Sequence, residues 1–141
     1  MIFKEENRDL FKVDESYYLA HCVATDIRMG AGIAVSMNAK FGLRKQLQAF
    51  NQSDLLHPTC ILTGRVFNLI TKSRSYGKPT VSDFLSAMWI MRDIAVQKDV
   101  GKIAMPRIGC GLDGLKWIPV RDAIKKAFSE TGIEILVCVW G

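Results

Sequence analysis

Short apolar runs alternate with amphipathic segments along this chain, and that alternation constrains the fold more than any other feature of the sequence. Residues 17–23 form a nearly continuous apolar run, which is typical of a strand buried on both faces. Similar runs predict further strands over residues 59–63, 66–71, 102–106 and 133–140. The chain is therefore expected to build a sheet whose strands are separated by other elements.

Helical periodicity marks the segments between those strands. One segment runs from about residue 32 to 49, with Lys and Arg on its outer side. A clearer helix follows Pro79, where apolar residues recur at steps of three and four and Thr80 or Ser82 can serve as the N-cap. A third helix is predicted from about residue 119, where Pro119 suits the first turn. Strands that alternate with helices predict an α/β fold with a mostly parallel or mixed sheet and helices on both faces.

Length and composition fit one soluble domain. The chain has 141 residues, of which 49% are apolar, so we expect a single domain over residues 1–141. The longest uninterrupted apolar stretch, residues 135–140, is far shorter than the ~20 residues that span a membrane. The first residues become charged at Lys4 and lack the apolar region of a signal peptide. We therefore expect no membrane partner and a cytoplasmic protein, with the nucleus as a second location in a eukaryote.

The cysteines and the charge balance leave the ligand class open. Cys22, Cys60, Cys110 and Cys138 stand far apart and have no matched histidine spacing, so we expect free thiols rather than zinc ligands or disulfides. The 19 basic and 14 acidic residues give a net charge of +5. A mildly basic surface is compatible with a phosphate-bearing ligand or with nucleic acid, and it selects neither.

Two glycine-rich loops each follow a predicted strand and lead toward a helix. They cover residues 30–34 and 108–114. Glycine lets backbone N–H groups turn toward an anion, and a helix N-terminus adds partial positive charge, so the two loops could clamp a diphosphate from both sides. Glycines after strands also make ordinary tight turns. Neither loop matches the P-loop or the G-x-G-x-x-G fingerprint, which disfavours a nucleotide kinase or a dehydrogenase.

Three ordered segments that include these loops carry a more specific signal. They are His21-Cys22 followed by residues 28–34, then residues 69–72 followed by Lys78-Pro79-Thr80, and then residues 105–113. Together they resemble a macrodomain, and within that superfamily they are similar to the branch of terminal ADP-ribose protein glycohydrolases. The resemblance runs in order from about Asp9 to the C-terminus.

The resemblance implies both a fold and an activity. The fold is a three-layer α/β/α sandwich with a mixed, mostly parallel central sheet that holds ADP-ribose in a cleft on top. The activity is removal of mono-ADP-ribose from Asp or Glu side chains of proteins, and the same cleft could also deacetylate O-acetyl-ADP-ribose. Lys72 matches the lysine that attacks C1″ of the distal ribose, and Asp113 matches the aspartate that resolves the adduct. The resemblance implies no metal and no cofactor. Without it, Lys72 could equally be a surface lysine at a strand end and Asp113 a turn residue.

The resemblance also implies a set of substrate-binding residues. Asp9, with its neighbour Leu10, matches the acidic residue that accepts a hydrogen bond from the adenine amine, although Arg8 stands where that motif usually has glycine. Trp140 falls where an apolar residue lies close to the adenine, and an indole there could stack on the base. The alternatives are a turn cap for Asp9 and a core or edge-strand residue for Trp140. The full set is Asp9, Leu10, Gly30, Ala31, Gly32, Ile33, Ala34, Arg107, Ile108, Gly109, Cys110, Gly111, Leu112 and Trp140.

Two other functions stay open at the level of sequence. One is hydrolysis of ADP-ribosylated DNA, because relatives of this branch include antitoxin macrodomains that strip ADP-ribose from thymine bases. The other is a module that binds ADP-ribose without cutting it, and retention of both Lys72 and Asp113 speaks against that. The expected partners are ADP-ribose and mono-ADP-ribosylated proteins, and we expect a monomer.

Overall fold

A six-stranded sheet crosses the computed structural model of the protein, which describes residues 1–140. Its strand order is β1-β6-β5-β2-β4-β3, and every neighbouring pair is parallel except β3 with β4. The predicted α/β fold with a mixed, mostly parallel sheet is therefore confirmed. The strands are β1 (Ile2–Asn7), β2 (Tyr18–Ala24), β3 (Thr59–Thr63), β4 (Val66–Lys72), β5 (Lys102–Met105) and β6 (Glu134–Val139).

The part of the chain that the structure describes has four α-helices, which cover the two faces of the sheet: α1 (Ile33–Phe41), α2 (Leu43–Gln48), α3 (Val81–Gln97) and α4 (Trp117–Phe128). The Thr80 side chain accepts a hydrogen bond from the Asp83 N–H and so caps α3, as predicted. Pro119 lies in the first turn of α4, where its missing N–H costs no helical hydrogen bond. None of the helices within residues 1–140 is both long and apolar enough to cross a membrane.

Two elements differ from the sequence-based expectation. The single helix over 32–49 is wrong, because Gly42 adopts a left-handed φ of 62°, donates its N–H to the Asn38 carbonyl and ends α1 before α2 begins. The edge strand β1 has no apolar pattern that would reveal it, since nearly all of its residues are exposed. Its backbone pairs with β6 over the whole of its length, so pairing rather than burial defines this strand.

Two apolar clusters lie on opposite faces of the sheet and make the sandwich three layers thick. One cluster packs under α3 and α4, and its largest buried side chains include Phe67, Phe84, Met88, Ile124 and Phe128. The other packs under α1 and α2, with Leu19, Met37, Leu43, Leu47 and Ile70. Because β2 and β4 contribute to both clusters, their carboxyl ends are rigidly placed.

One buried polar pair joins β2 to β4. The Asn68 amide donates to the Ile61 carbonyl at 3.0 Å and to Thr63 Oγ1 at 2.8 Å, so its oxygen is the acceptor that faces His21 Nε2 at 2.6 Å. His21 therefore carries its proton on Nε2, while Nδ1 is buried without a partner. Burial lowers the pKa of His21 to about 4, because a cation at this site would lack both water and a counter-charge.

This pair predicts a pH-dependent stability. The folded protein keeps His21 neutral down to about pH 4, whereas the same residue in the unfolded chain binds a proton near pH 6.5. The unfolded state therefore gains protons first, and His21 should lower the free energy of unfolding by about 3 kcal/mol as the pH falls from 7 to 4. Urea titrations of the wild type and of His21→Gln across this range should show the difference between the two free energies moving by that amount. A constant difference would contradict the assignment.

Candidate active site

A cleft of about 430 Å³ opens at the carboxyl ends of β2, β4 and β5. This edge of a parallel sheet is where α/β folds bind ligands, and the volume lies within the ordinary range for small-molecule sites. The two glycine-rich loops form its walls, and the end of β2 forms part of its floor. The cleft is lined by Gly30, Ala31, Gly32, Ile33 and Ala34 from the first loop and by Arg107, Ile108, Gly109, Gly111, Leu112 and Asp113 from the second.

The first loop presents the N-terminus of α1 to the cleft. Ile27 and Met29 both have positive φ, and both side chains are buried, so core packing holds a backbone that these residues rarely adopt. Gly32 follows with a φ of 62° and is the N-cap of α1 without any side-chain cap. The free N–H groups of the first helical turn are therefore available to an anion.

The second loop packs tightly against α3 through Gly109. This residue has a φ of 76°, and an added Cβ would stand 2.9 Å from the Phe84 ring and 3.1 Å from Leu115. The Gly109 carbonyl accepts a hydrogen bond from the Leu115 N–H at 2.9 Å, which closes the loop. Only glycine fits this position without moving the loop that carries Asp113.

A β-bulge sets the direction of Lys72 at the end of β4. In the register between β2 and β4, Val23 pairs with Ile70 and Ala24 pairs with Lys72, so Thr71 is an extra residue. An extra residue turns the following side chain away from the regular alternation of the strand. Lys72 thereby enters the cleft instead of continuing the buried face of the strand.

Lys72 and Asp113 meet inside the cleft. Lys72 Nζ donates to Asp113 Oδ1 at 2.7 Å and to the carbonyls of Ser75 and Gly77, each at 3.1 Å. Both side chains of the ion pair are 13% exposed. The three acceptors match the three N–H donors of an ammonium group, so Nζ is held in one place. A nucleophilic nitrogen and a carboxylate within hydrogen-bond distance can exchange a proton directly.

The Cys22 thiol also lines the cleft, but it is a weaker candidate for the nucleophile than Lys72. Cys22 lines the cleft next to the ion pair. Burial raises the pKa of this thiol well above its usual range, and the nearby Asp113 carboxylate adds to the shift. The thiolate is the reactive form of cysteine, so Cys22 stays an unreactive thiol near neutral pH. Within residues 1–140, no three His, Cys, Asp or Glu side chains are grouped as a metal site requires.

The other predicted binding residues lie outside the main cleft. Asp9 accepts a hydrogen bond from the Phe11 N–H at 2.9 Å and caps a short 3₁₀ helix over Leu10–Lys12. Leu10 is 3% exposed and packs in the core, so its side chain is not available to a ligand. Trp140 and Cys110 line a neighbouring cavity of about 410 Å³. Contact of Asp9 and Trp140 with adenine therefore stays a prediction.

The two cavities are nevertheless continuous in their walls. Pro106, Arg107 and Gly111 line both of them. The Arg8 N–H donates to the Val139 carbonyl at 2.8 Å. Asp9 follows Arg8 and Trp140 follows Val139, so this hydrogen bond brings both residues to the same corner of the sheet. One elongated ligand could therefore reach from the ion pair toward this corner of the sheet.

Two residues that the structure brings to the site could not be recognised from the sequence. Ser75 lines the cleft, and its carbonyl is one of the acceptors for Lys72 Nζ. Asp26 accepts hydrogen bonds from both the backbone N–H and the hydroxyl of Ser75. No motif in the sequence marks either residue, because their connection is made across two loops that are 49 positions apart.

Comparison with known proteins shows the family to which this chain belongs. No family model matches the chain. It is 40% identical over 132 residues to ADP-ribose glycohydrolase OARD1 of Homo sapiens, a match that covers 92% of this chain and 86% of that protein. Its structure superposes on the macrodomain of Mycobacterium tuberculosis DarG with a TM-score of 0.85, over 99% of this chain and 97% of the other, at 16% identity. The chain belongs to the macrodomain family.

Further solved structures carry the same macrodomain fold. The macrodomain of Thermus aquaticus DarG matches with a TM-score of 0.84 and 21% identity, covering 97% of each chain. Thermosipho africanus DarTG in complex with ADP-ribose matches with a TM-score of 0.85 and 18% identity, covering 98% of this macrodomain and 41% of that longer chain. The resemblance inferred from the three sequence segments is thus confirmed at the level of family and fold.

The packing of the second loop predicts that two nearby glycines differ in their tolerance of an added Cβ. Gly109→Ala should lower the free energy of unfolding by about 1–3 kcal/mol, because the new Cβ meets Phe84 and the backbone is left-handed. Gly111→Ala should change it by less than about 0.5 kcal/mol, because an added Cβ there meets no atom within 4 Å. Urea unfolding of the two variants makes the comparison, and equal losses would contradict the role assigned to Gly109.

Proposed function

We propose that the protein is an ADP-ribosyl hydrolase that removes mono-ADP-ribose from Asp and Glu esters on proteins. The observation that carries the proposal is the ion pair between Lys72 and Asp113, 2.7 Å apart in a cleft walled by two glycine-rich loops. The curated relative named as an ADP-ribose glycohydrolase supports hydrolysis, and the DarTG structure solved with ADP-ribose supports the ligand.

The cleft offers a suitable place for each part of ADP-ribose. The free N–H groups at the start of α1 suit the diphosphate, and the glycines of the second loop would let its backbone approach the same anion from the opposite wall. The distal ribose then falls next to Lys72 and Asp113. The adenine extends toward the corner where Trp140 is 69% exposed and Asp9 lies beside the end of β6. No metal takes part in this proposal.

In the proposed first step, Lys72 releases a proton to solvent, and its free electron pair attacks C1″ of the distal ribose. The bond from C1″ to the ester oxygen breaks, and the carboxylate of the target protein leaves with the electron pair. In the second step Asp113 takes a proton from water as the water oxygen bonds to C1″, and the C1″–Nζ bond breaks with its electrons returning to Lys72. Asp113 then passes this proton to the Lys72 amine, which restores the ion pair.

The same two residues would also suit O-acetyl-ADP-ribose. This molecule contains the same ADP-ribose group, with a small acetyl ester on the distal ribose itself. The ion pair is 13% exposed on each side and lies at the end of the cleft that the proposed distal ribose occupies. We propose it as a second small-molecule substrate for the same cleft.

The proposed mechanism predicts a separation of turnover from binding. Lys72→Ala should abolish release of ADP-ribose from a protein ADP-ribosylated on glutamate, while isothermal titration calorimetry still detects ADP-ribose binding. Asp113→Asn should slow release by about 10²–10⁴-fold, because the amide cannot accept a proton. Lys98→Ala provides the control, since Lys98 is exposed at the far end of α3. Normal hydrolysis by Lys72→Ala would overturn the mechanism.

The proposed adenine position predicts a loss of affinity without a loss of stability. Trp140→Ala should weaken ADP-ribose binding by about 5- to 150-fold, because base stacking on an aromatic side chain contributes ~1–3 kcal/mol. Its melting temperature should not change, since Trp140 is 69% exposed. Trp89→Ala is the matched control, because Trp89 is also exposed but lies on α3. Equal losses of affinity and stability in Trp140→Ala would assign it to packing.

A specific charge distribution favours ADP-ribosylated DNA as a second candidate substrate. Residues 27–53, which supply the first loop, α1 and α2, contain Arg28, Lys40, Arg44 and Lys45 but no Asp or Glu. A phosphate backbone could therefore approach the surface formed by this segment, beside the first loop, without repulsion.

The DNA alternative predicts a steep dependence on salt. Release of ADP-ribose from modified DNA should fall sharply between 50 and 200 mM salt, roughly tenfold or more for each few phosphates contacted, and the double variant Arg44→Glu, Lys45→Glu should make that dependence less steep. Release from modified protein should change little. Binding of ADP-ribose with no release from either substrate would instead identify a binding module.

A further inference from the structure

We infer that Asp26 is a positioning residue for the proposed hydrolysis, because it fixes Ser75, whose carbonyl holds Lys72 Nζ. The inference rests on the proposed function, since it assigns Lys72 the role of nucleophile. It adds a residue that lies outside both glycine-rich loops and that does not line the cleft.

Both carboxylate oxygens of Asp26 accept hydrogen bonds from Ser75. Oδ2 accepts the Ser75 backbone N–H at 2.8 Å, and Oδ1 accepts the Ser75 hydroxyl at 2.6 Å. Oδ1 also accepts the Arg28 N–H at 3.2 Å. Burial raises the pKa of Asp26, but the hydrogen bonds from Ser75 and Arg28 outweigh burial and hold that pKa below its usual range. The carboxylate therefore stays ionised at neutral pH and keeps its hydrogen bonds to Ser75.

Ser75 in turn contacts Lys72, one member of the reacting pair. The Ser75 carbonyl accepts a hydrogen bond from Lys72 Nζ at 3.1 Å, and the same Nζ donates to Asp113 at 2.7 Å. Asp26 follows β2, Lys72 and Ser75 come from the end of β4 and the turn after it, and Asp113 follows β5. The hydrogen bonds thus run from one loop to the next across three neighbouring strands of the sheet.

The turn that carries Ser75 needs such an anchor. Residues 73–76 are exposed, and the turn closes on itself through one bond, from the Gly77 N–H to the Arg74 carbonyl at 2.9 Å. Lysine has a flexible four-carbon stem, so the position of Nζ depends on the groups that hold it. A displacement of about 1 Å at a reacting atom costs on the order of 10²-fold in rate. Fixing Ser75 therefore fixes the point from which Lys72 attacks.

Another aspartate in this chain provides a matched control. Asp14 accepts the Ser16 N–H at 2.7 Å, in a turn that does not line the cleft. Like Asp26, it has a pKa below its usual value because of hydrogen bonds from a nearby serine. Asp14→Ala therefore removes the same kind of contact without touching the Lys72 network.

The first measurement does not depend on turnover. The acetyl ester of N-hydroxysuccinimide is added to the wild type, Asp26→Ala, Ser75→Ala and Asp14→Ala, and the rate of acetylation at Lys72 is measured by peptide mass spectrometry. Asp26→Ala should raise that rate by about 2- to 10-fold, which corresponds to the loss of one hydrogen bond on Nζ. Ser75→Ala should raise it less, because its backbone N–H still binds Asp26, and Asp14→Ala should match the wild type.

The second measurement separates positioning from structure. Asp26→Ala should lower kcat for ADP-ribose release by about 10- to 100-fold, while the Kd for ADP-ribose changes less than about twofold. The kcat of Asp26→Asn, whose amide oxygen keeps one acceptor, should lie between the kcat of Asp26→Ala and that of the wild type. Asp26→Asn also serves as the test if Asp26→Ala does not fold.

Three results would overturn the inference: an unchanged acetylation rate at Lys72, an unchanged kcat, or parallel losses of kcat, affinity and melting temperature. Failure of the proposed function has a different signature. In that case the wild type releases no ADP-ribose from any substrate, and the acetylation rates alone decide whether Asp26 holds Lys72.

Discussion

The hydrogen-bonded ion pair between Lys72 and Asp113 is the contact on which the account of this protein depends. It joins the end of β4 to the loop after β5, and both side chains are 13% exposed, so neither charge is fully solvated. A partly buried charge is stable only when its partner stays in place. The β-bulge at Thr71, the left-handed Gly109 and the Asp26 contact to Ser75 each keep one side of this pair in position.

The packed sheet beneath the ion pair fixes the strand ends from which Lys72 and Asp113 reach the cleft. β2 and β4 are packed on both faces by the two apolar clusters, and the His21–Asn68 hydrogen bond links them at a site from which water is excluded. A sheet that is packed on both faces keeps its fold when the sequences of the exposed loops differ. This arrangement is consistent with the match to DarG macrodomains at 16–21% identity.

Much of the fold could be predicted because burial leaves a periodic pattern. Apolar runs located β2, β3, β4, β5 and β6, and the three- and four-residue spacing with the Thr80 cap located α3. The pattern failed where backbone geometry decides the outcome. Gly42 ends a helix by adopting a left-handed conformation, and β1 is an exposed edge strand defined by its pairing. At the site, the resemblance singled out Lys72 and Asp113, which the structure brings together. Asp26 and Ser75 escaped notice, since a contact between distant loops leaves no local signal.

The proposed mechanism requires that Lys72 forms a covalent bond to the distal ribose and that Asp113 acts in its release. The most direct measurement is intact-protein mass spectrometry of Asp113→Ala after incubation with a mono-ADP-ribosylated protein, followed by peptide mapping. We expect one added ADP-ribosyl group, located on Lys72, in Asp113→Ala and none in the double variant Lys72→Ala, Asp113→Ala. An adduct on another residue, or full turnover by Asp113→Ala with no adduct, would contradict it.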